Sequence, residues 1–109
     1  MIASVDPGLS GAIAWLSDDG HLIEVRDLPV AKANGKSELM PAALADMLRE
    51  RPATHAFVER VASRPGAGVA SSFNFGRGYG QIEGVLAALG VPVTPVSYTH
   101  LTLPTILRV

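Results

Sequence analysis

The sequence predicts an α/β domain in which a three-stranded antiparallel meander is followed by helix, strand, helix and strand. Three observations carry this expectation. Two short apolar runs, Ile2–Val5 and Gly11–Leu16, flank a tight turn at Asp6-Pro-Gly-Leu-Ser10. A turn cluster, Ser17-Asp-Asp-Gly20, then leads into the alternating segment His21–Leu28. Beyond it, two stretches of helical period are separated by the apolar run Ala56–Val61. A helix between two strands points to a crossover and parallel pairing with the first strand.

The first strand ends at Asp6. Pro7 cannot donate to a sheet ladder and Gly8 tolerates positive φ, so the pair marks a turn immediately after the acid. Such a turn aims the carboxylate out of the sheet rim while its backbone stays anchored. Asp18 and Asp19 read as turn residues, and Asp-Gly is a strong hairpin signal. In the third strand, Ile23 and Val25 fall on one face and Glu24 and Arg26 on the other. Residues 29–36 have no period and read as an exposed loop. Ser37 is the expected helix N-cap, with Glu38 near the positive helix end. Met40, Leu44, Met47 and Leu48 then form one buried face, and Arg51-Pro52 ends the helix.

Thr54-His-Ala-Phe-Val-Glu-Arg-Val61 places a second acid, Glu59, on an apolar strand. A glycine-rich loop, residues 63–71, precedes a second helix expected over 72–89 and stopped by Gly90. Its apolar stripe is Phe75, Tyr79, Ile82, Leu86 and Leu89; a second stripe is Gly76, Gly80 and Gly84. With Gly78 the summed helix penalty is roughly 4 kcal/mol, so these glycines predict close approach of the helix backbone to a sheet or a partner helix. Phe73 is expected to be buried, and Glu83 solvated. Residues 91–96 read as a last strand that Pro92 and Pro95 confine to an edge or end early.

The chain has 109 residues, 48% of them apolar, enough for one small domain. Its net charge of -1 announces no global basic field for nucleic acid. There is no cysteine, so disulfides and thiolate metal sites are excluded. No apolar run reaches the roughly 18 residues of a membrane span, and no basic region precedes an apolar stretch at the start. A cytoplasmic protein with no membrane partner is the expectation. The end of the chain is unusual. Val96-Ser-Tyr-Thr-His-Leu-Thr-Leu-Pro-Thr105 resembles a translated reading frame of a common transposase-based sequencing adapter. That resemblance implies a native chain cut near Pro95 or Val96, a partial nuclease domain over 1–95, and a non-native tail over 96–109 in which His100 and Arg108 carry no function.

Val5-Asp-Pro-Gly-Leu-Ser-Gly-Ala, then Phe57-Val-Glu-Arg, then Phe75-Gly-Arg-Gly-Tyr-Gly, in this order, resemble RuvC-type Holliday junction resolvases, phage and prophage relatives above all. The resemblance covers about residues 2–95. It implies a ribonuclease-H-like fold lacking its C-terminal part, and an Mg²⁺- or Mn²⁺-dependent endonuclease acting on branched DNA as a homodimer. It makes Asp6 and Glu59 the catalytic metal ligands, joined in the family by acids from a later helix around two ions. One ion then helps generate the attacking hydroxide and the other stabilises the leaving 3′-oxygen. Hard oxygen donors suit such ions. No Asp or Glu follows Glu83, so this chain is expected to hold half a metal site and to be inactive alone. No aromatic residue follows Glu59 directly, where family members often carry one.

Arg60, Arg64 and Arg77 lie around the glycine-rich loop in sequence and are the candidate phosphate contacts. Ser10 is a further candidate beside the turn. His55 and His21 read as structural strand residues. Two other readings use the same residues. Asp6-Pro-Gly-Leu-Ser10 could hold Mg²⁺–phosphate in an actin-like phosphotransferase, although such enzymes need a longer chain and a second phosphate loop. A non-catalytic module that binds DNA junctions would need only the basic residues.

Overall fold

The first three strands follow the apolar runs closely: β1 is Ile2–Asp6, β2 is Ala12–Leu16 and β3 is Leu22–Asp27. The computed structural model describes residues 1–8, 11–60 and 68–97. Gly20, at φ 91°, closes the second turn by donating its amide to the Ser17 carbonyl at 2.9 Å. Asp18 meets the N-terminal ammonium at 2.7 Å and Asp19 the His21 ring at 3.0 Å, so both acids serve the turn. The chain then forms β4 (Val30–Ala33), β5 (Lys36–Leu39), α1 (Pro41–Glu50), β6 (His55–Arg60), α2 (Val69–Ala88) and β7 (Val93–Ser97).

Five strands make one sheet in the order β3-β2-β1-β6-β7. The meander β1–β2–β3 is antiparallel, whereas β6 joins β1 and β7 joins β6 in parallel. The expected class and strand order therefore stand. β7 is an edge strand, the position that Pro95 tolerates. It runs on through Val96 and Ser97, opposite Glu59 and Arg60, into the first two residues of the adapter-like segment.

One face of the sheet carries the core. Ala3, Val5, Ile13, Trp15, Ala56 and Val58 are buried there against Leu44 and Leu48 of α1 and Ile82 and Leu86 of α2. Trp15 satisfies its indole N–H by donating to the Arg51 carbonyl at 3.0 Å, while the Arg26 and Arg51 guanidinium groups lie 5.8 and 5.9 Å from its ring. His55 is structural as expected: Nε2 lies 2.7 Å from Thr94 Oγ1 on the neighbouring strand.

Several expectations are overturned. The unpatterned loop is instead the β4–β5 hairpin, turned by Asn34 at φ 52° and Gly35 at φ 77°. Positive φ at both central residues is what an Asn-Gly hairpin turn demands. Ser37 consequently lies in β5 and caps nothing; α1 starts at Pro41 with Met40 as an N-cap lacking a side-chain bond. Met40 is 43% exposed rather than buried. In β3 the apolar Ile23 and Val25 are exposed, and Glu24 is half-buried opposite Trp15, ion-paired with Arg26 and Arg51 at 3.1 and 3.2 Å. At β3 the core face is thus closed by a charged lattice around an indole rather than by aliphatic side chains of that strand.

α2 begins three residues earlier than expected and ends at Gly90, whose φ of 74° suits glycine at a helix stop. Of its apolar stripe, Ile82 and Leu86 are buried in the core as expected and Tyr79 and Leu89 pack against it, whereas Phe75 is half-buried. The glycine stripe does not face the sheet: a Cβ added at Gly76, Gly78, Gly80 or Gly84 meets no atom of the described residues within 4 Å. Phe73 is 69% exposed, not buried.

Candidate functional site

The site is built by parallel pairing. β1 and β6 run side by side in a register that puts Val5 opposite Val58. The next residue on each strand is an acid, Asp6 on β1 and Glu59 on β6. Because strand side chains alternate, both carboxylates leave the core face on which Val5 and Val58 are buried and share the opposite one. Asp6 is exposed at the strand end and Glu59 half-buried.

The turn after β1 holds Asp6 in place. The Gly8 amide donates to Asp6 Oδ1 at 3.1 Å, and the Gly11 amide donates to the Gly8 carbonyl at 2.8 Å. Gly11 has no room for a side chain: a Cβ there would lie 2.2 Å from the Asp6 carbonyl oxygen and 2.7 Å from that of Gly8. The turn-cap role and the presentation of a carboxylate are therefore one device. Asp6 uses one oxygen on its own turn and remains exposed toward Glu59.

The two carboxylates act on each other. The Glu59 carboxyl is pushed up to about 7, first by burial, then by the Asp6 charge and a shared hydrogen bond. Around neutral pH the pair is poised between sharing a proton and carrying two charges. Two hard oxygen donors under mutual repulsion fit a divalent cation, which replaces the proton and relieves the repulsion. The donor count stops there. Among the described residues no group of three or more His, Cys, Asp or Glu could hold a metal ion.

Of the candidate basic residues, Arg60 and Arg77 stand on different elements, β6 and α2. Arg60 ends β6 directly beside Glu59 and is exposed. Its charge also acts on the Tyr79 hydroxyl of α2, whose titration is raised chiefly by burial and also by Glu83. Arg77 points elsewhere, to Glu38 of the hairpin at 3.5 Å. Ser10 and Arg64 lie outside the described residues. The hairpin is the element that sequence reasoning missed here. With α2 and the Pro7-Gly8 turn it encloses a groove of about 580 Å³. The Asn34-Gly35 dipeptide was the signal that could have found it.

No helix among the described residues is long and apolar enough to cross a membrane. No protein-family profile matches the chain, and no curated protein matches it in sequence. Solved structures do match. RuvC of T. thermophilus in complex with a Holliday junction substrate superposes with a TM-score of 0.64 at 14% identity, over 89% of this chain and 62% of that one. A second Thermus thermophilus RuvC structure gives 0.53 at 18% identity, over 88% and 63%. This chain thus spans less than two thirds of the length of either. At these identities the likeness is one of fold, and the fold is the α/β, ribonuclease-H-like architecture of RuvC.

Proposed function

We propose that this chain is the nuclease-fold portion of a metal-dependent, structure-selective DNA endonuclease that hydrolyses phosphodiesters in Holliday junctions or other branched DNA, as a homodimer. The observation that carries this reading is the pairing of Asp6 and Glu59 at the ends of adjacent parallel strands, with Glu59 raised to about 7 by burial and by its neighbour. A charge pair of this kind at a sheet rim contributes nothing to packing and is suited to a cation. Asp6 and Glu59 would hold Mg²⁺ or Mn²⁺. When bound, such an ion supplies Lewis-acid stabilisation of charge at the scissile phosphate. Asp6 is pre-oriented for this by the Gly8 amide, and Glu59 by its half-buried place on β6. Arg60 and Arg77, with Arg64, would contact DNA phosphates and position the strand without reading its sequence.

Two carboxylates carry at most two negative charges against the +4 of two divalent ions, so further acidic ligands complete the site in this reading. Cleavage is tested with the 109-residue chain beside a version extended by a family-like acidic C-terminal helix, on a four-way junction with Mg²⁺. The extended form is expected to cut and the 109-residue chain to bind without cutting. Asp6→Asn or Glu59→Gln in the extended form should abolish cutting and leave junction binding largely intact. Cutting that survives Asp6→Asn would sink the assignment of the site.

A further inference from the structure

The groove between the β4–β5 hairpin and α2 adjoins the Pro7-Gly8 turn, the same turn whose Gly8 amide holds Asp6. It therefore opens at the turn that follows Asp6, although neither Asp6 nor Glu59 lines it. Its floor is apolar: Leu28 and Ile82 are buried, and Leu39 and Phe75 are half-buried. Its lip is polar and carries Lys36, Ser37, Glu38, Gln81 and Arg77. Its volume, about 580 Å³, lies within the range of sites that enclose small organic groups.

These three features answer the three parts of one nucleotide. An apolar slot with an aromatic wall suits the faces of a base, since every base offers a π-surface. The Gln81 amide offers both a donor and an acceptor to a base edge. Two cations at the lip suit the phosphate. A stacked, paired base cannot enter a slot of this kind, but an unpaired one at a branch point can. The lip is also easily reopened. Among the described residues Arg77 pairs with Glu38 at 3.5 Å, both side chains are more than half exposed, and such pairs are weak enough for a phosphate to displace.

We propose that this groove is the subsite for one unpaired nucleotide of the strand whose phosphodiester sits at Asp6 and Glu59, with the β4–β5 hairpin as its outer wall and Gln81 reading the base edge. The inference rests on the branched-DNA reading above. It adds a determinant of sequence preference on a hairpin and a helix face, away from the carboxylates.

Gly78 makes a direct test possible. It lines the groove, and a Cβ there meets no atom within 4 Å. Gly78→Leu should fill space without a clash and replace a poor helix residue by a good one, so the melting temperature should rise. Binding is read by fluorescence anisotropy of the 109-residue chain with a labelled four-way junction and with a fully paired duplex of equal length. Junctions carrying an abasic site at each central position in turn complete the set. The parent should prefer the junction, and Gly78→Leu and Gln81→Ala should each weaken junction binding about ten-fold. One abasic position should cause a similar loss and make binding insensitive to Gln81→Ala. Gly84→Ala, outside the groove, should leave binding unchanged. If both groove variants bind the junction like the parent, the subsite is wrong while the branched-DNA reading stands. If the parent does not prefer the junction over the duplex, the branched-DNA reading fails and this inference fails with it.

Discussion

Glycine is used for opposite reasons at the two ends of this molecule. In the turn after β1, Gly11 is hemmed in by backbone: the Asp6 and Gly8 carbonyl oxygens and the Leu28 side chain occupy the space a Cβ would need. In α2, Gly76, Gly80 and Gly84 face open space. The turn is a close-packed device that fixes a carboxylate. The helix accepts a propensity penalty that no contact among the described residues explains. A glycine in a sequence therefore does not say whether it marks contact or absence of contact.

The largest expected effect comes from breaking the turn. Gly11→Ala should destabilise the fold by about 3 kcal/mol, because backbone rather than a yielding side-chain end must move. Thermal or urea unfolding measures this. A melting temperature within a degree of the parent would mean that the turn is not close-packed.

Next in size is the acidic pair that the turn presents. Glu59 has an ordinary value near 4.5 when unfolded and about 7 when folded, so the folded state binds its proton more tightly. Its contribution is then fully present below about pH 4.5 and is lost as pH rises through 7. At pH 8, Glu59→Gln should stabilise the fold by about 1–2 kcal/mol after allowance for its partial exposure, and Asp6→Asn by about 1 kcal/mol. At pH 4.5 both gains should vanish. Millimolar Mg²⁺ should lower the Glu59 midpoint, followed by NMR of its side chain. Equal effects of either substitution at both pH values would show that the carboxylates do not interact.

The helix glycines should respond in the opposite direction to Gly11. Gly84→Ala should raise stability by about 1 kcal/mol, and Gly76→Ala and Gly80→Ala by similar amounts. Gly80→Leu sharpens the comparison. Within one chain it meets no obstacle and should be tolerated. Destabilisation that appears only at high protein concentration would reveal a second copy seated on that stripe. The smallest effect belongs to the Arg77–Glu38 pair: Glu38→Gln should change stability by no more than about 0.5 kcal/mol, as exposed pairs do, measured by chemical denaturation.

The strands of the main sheet were legible because each carried a local signal. Apolar runs were bounded by Asp-Pro-Gly, Asp-Asp-Gly and proline, and a helix between strands implied parallel pairing. From that pairing alone Asp6 and Glu59 could be expected side by side. The hairpin announces itself in the sequence through Asn34-Gly35 alone, since its strands are four residues each and carry no alternation. Other features had no local signal at all. Ile23 and Val25 alternate as a buried face should, yet the sheet edge leaves them outside and turns Glu24 toward Trp15, where two arginines neutralise it. That Arg77 serves the hairpin, and that Phe73 is exposed, depends on how α2 is rotated against its neighbours. By itself the sequence determined the order of the main-sheet elements and the two acids at the strand ends, because propensity and turn chemistry act over a few residues. Only the tertiary structure decided which faces are covered, that Arg77 pairs with the hairpin, and that the Glu59 carboxyl is pushed up to about 7, because burial and charge proximity exist only once distant segments meet.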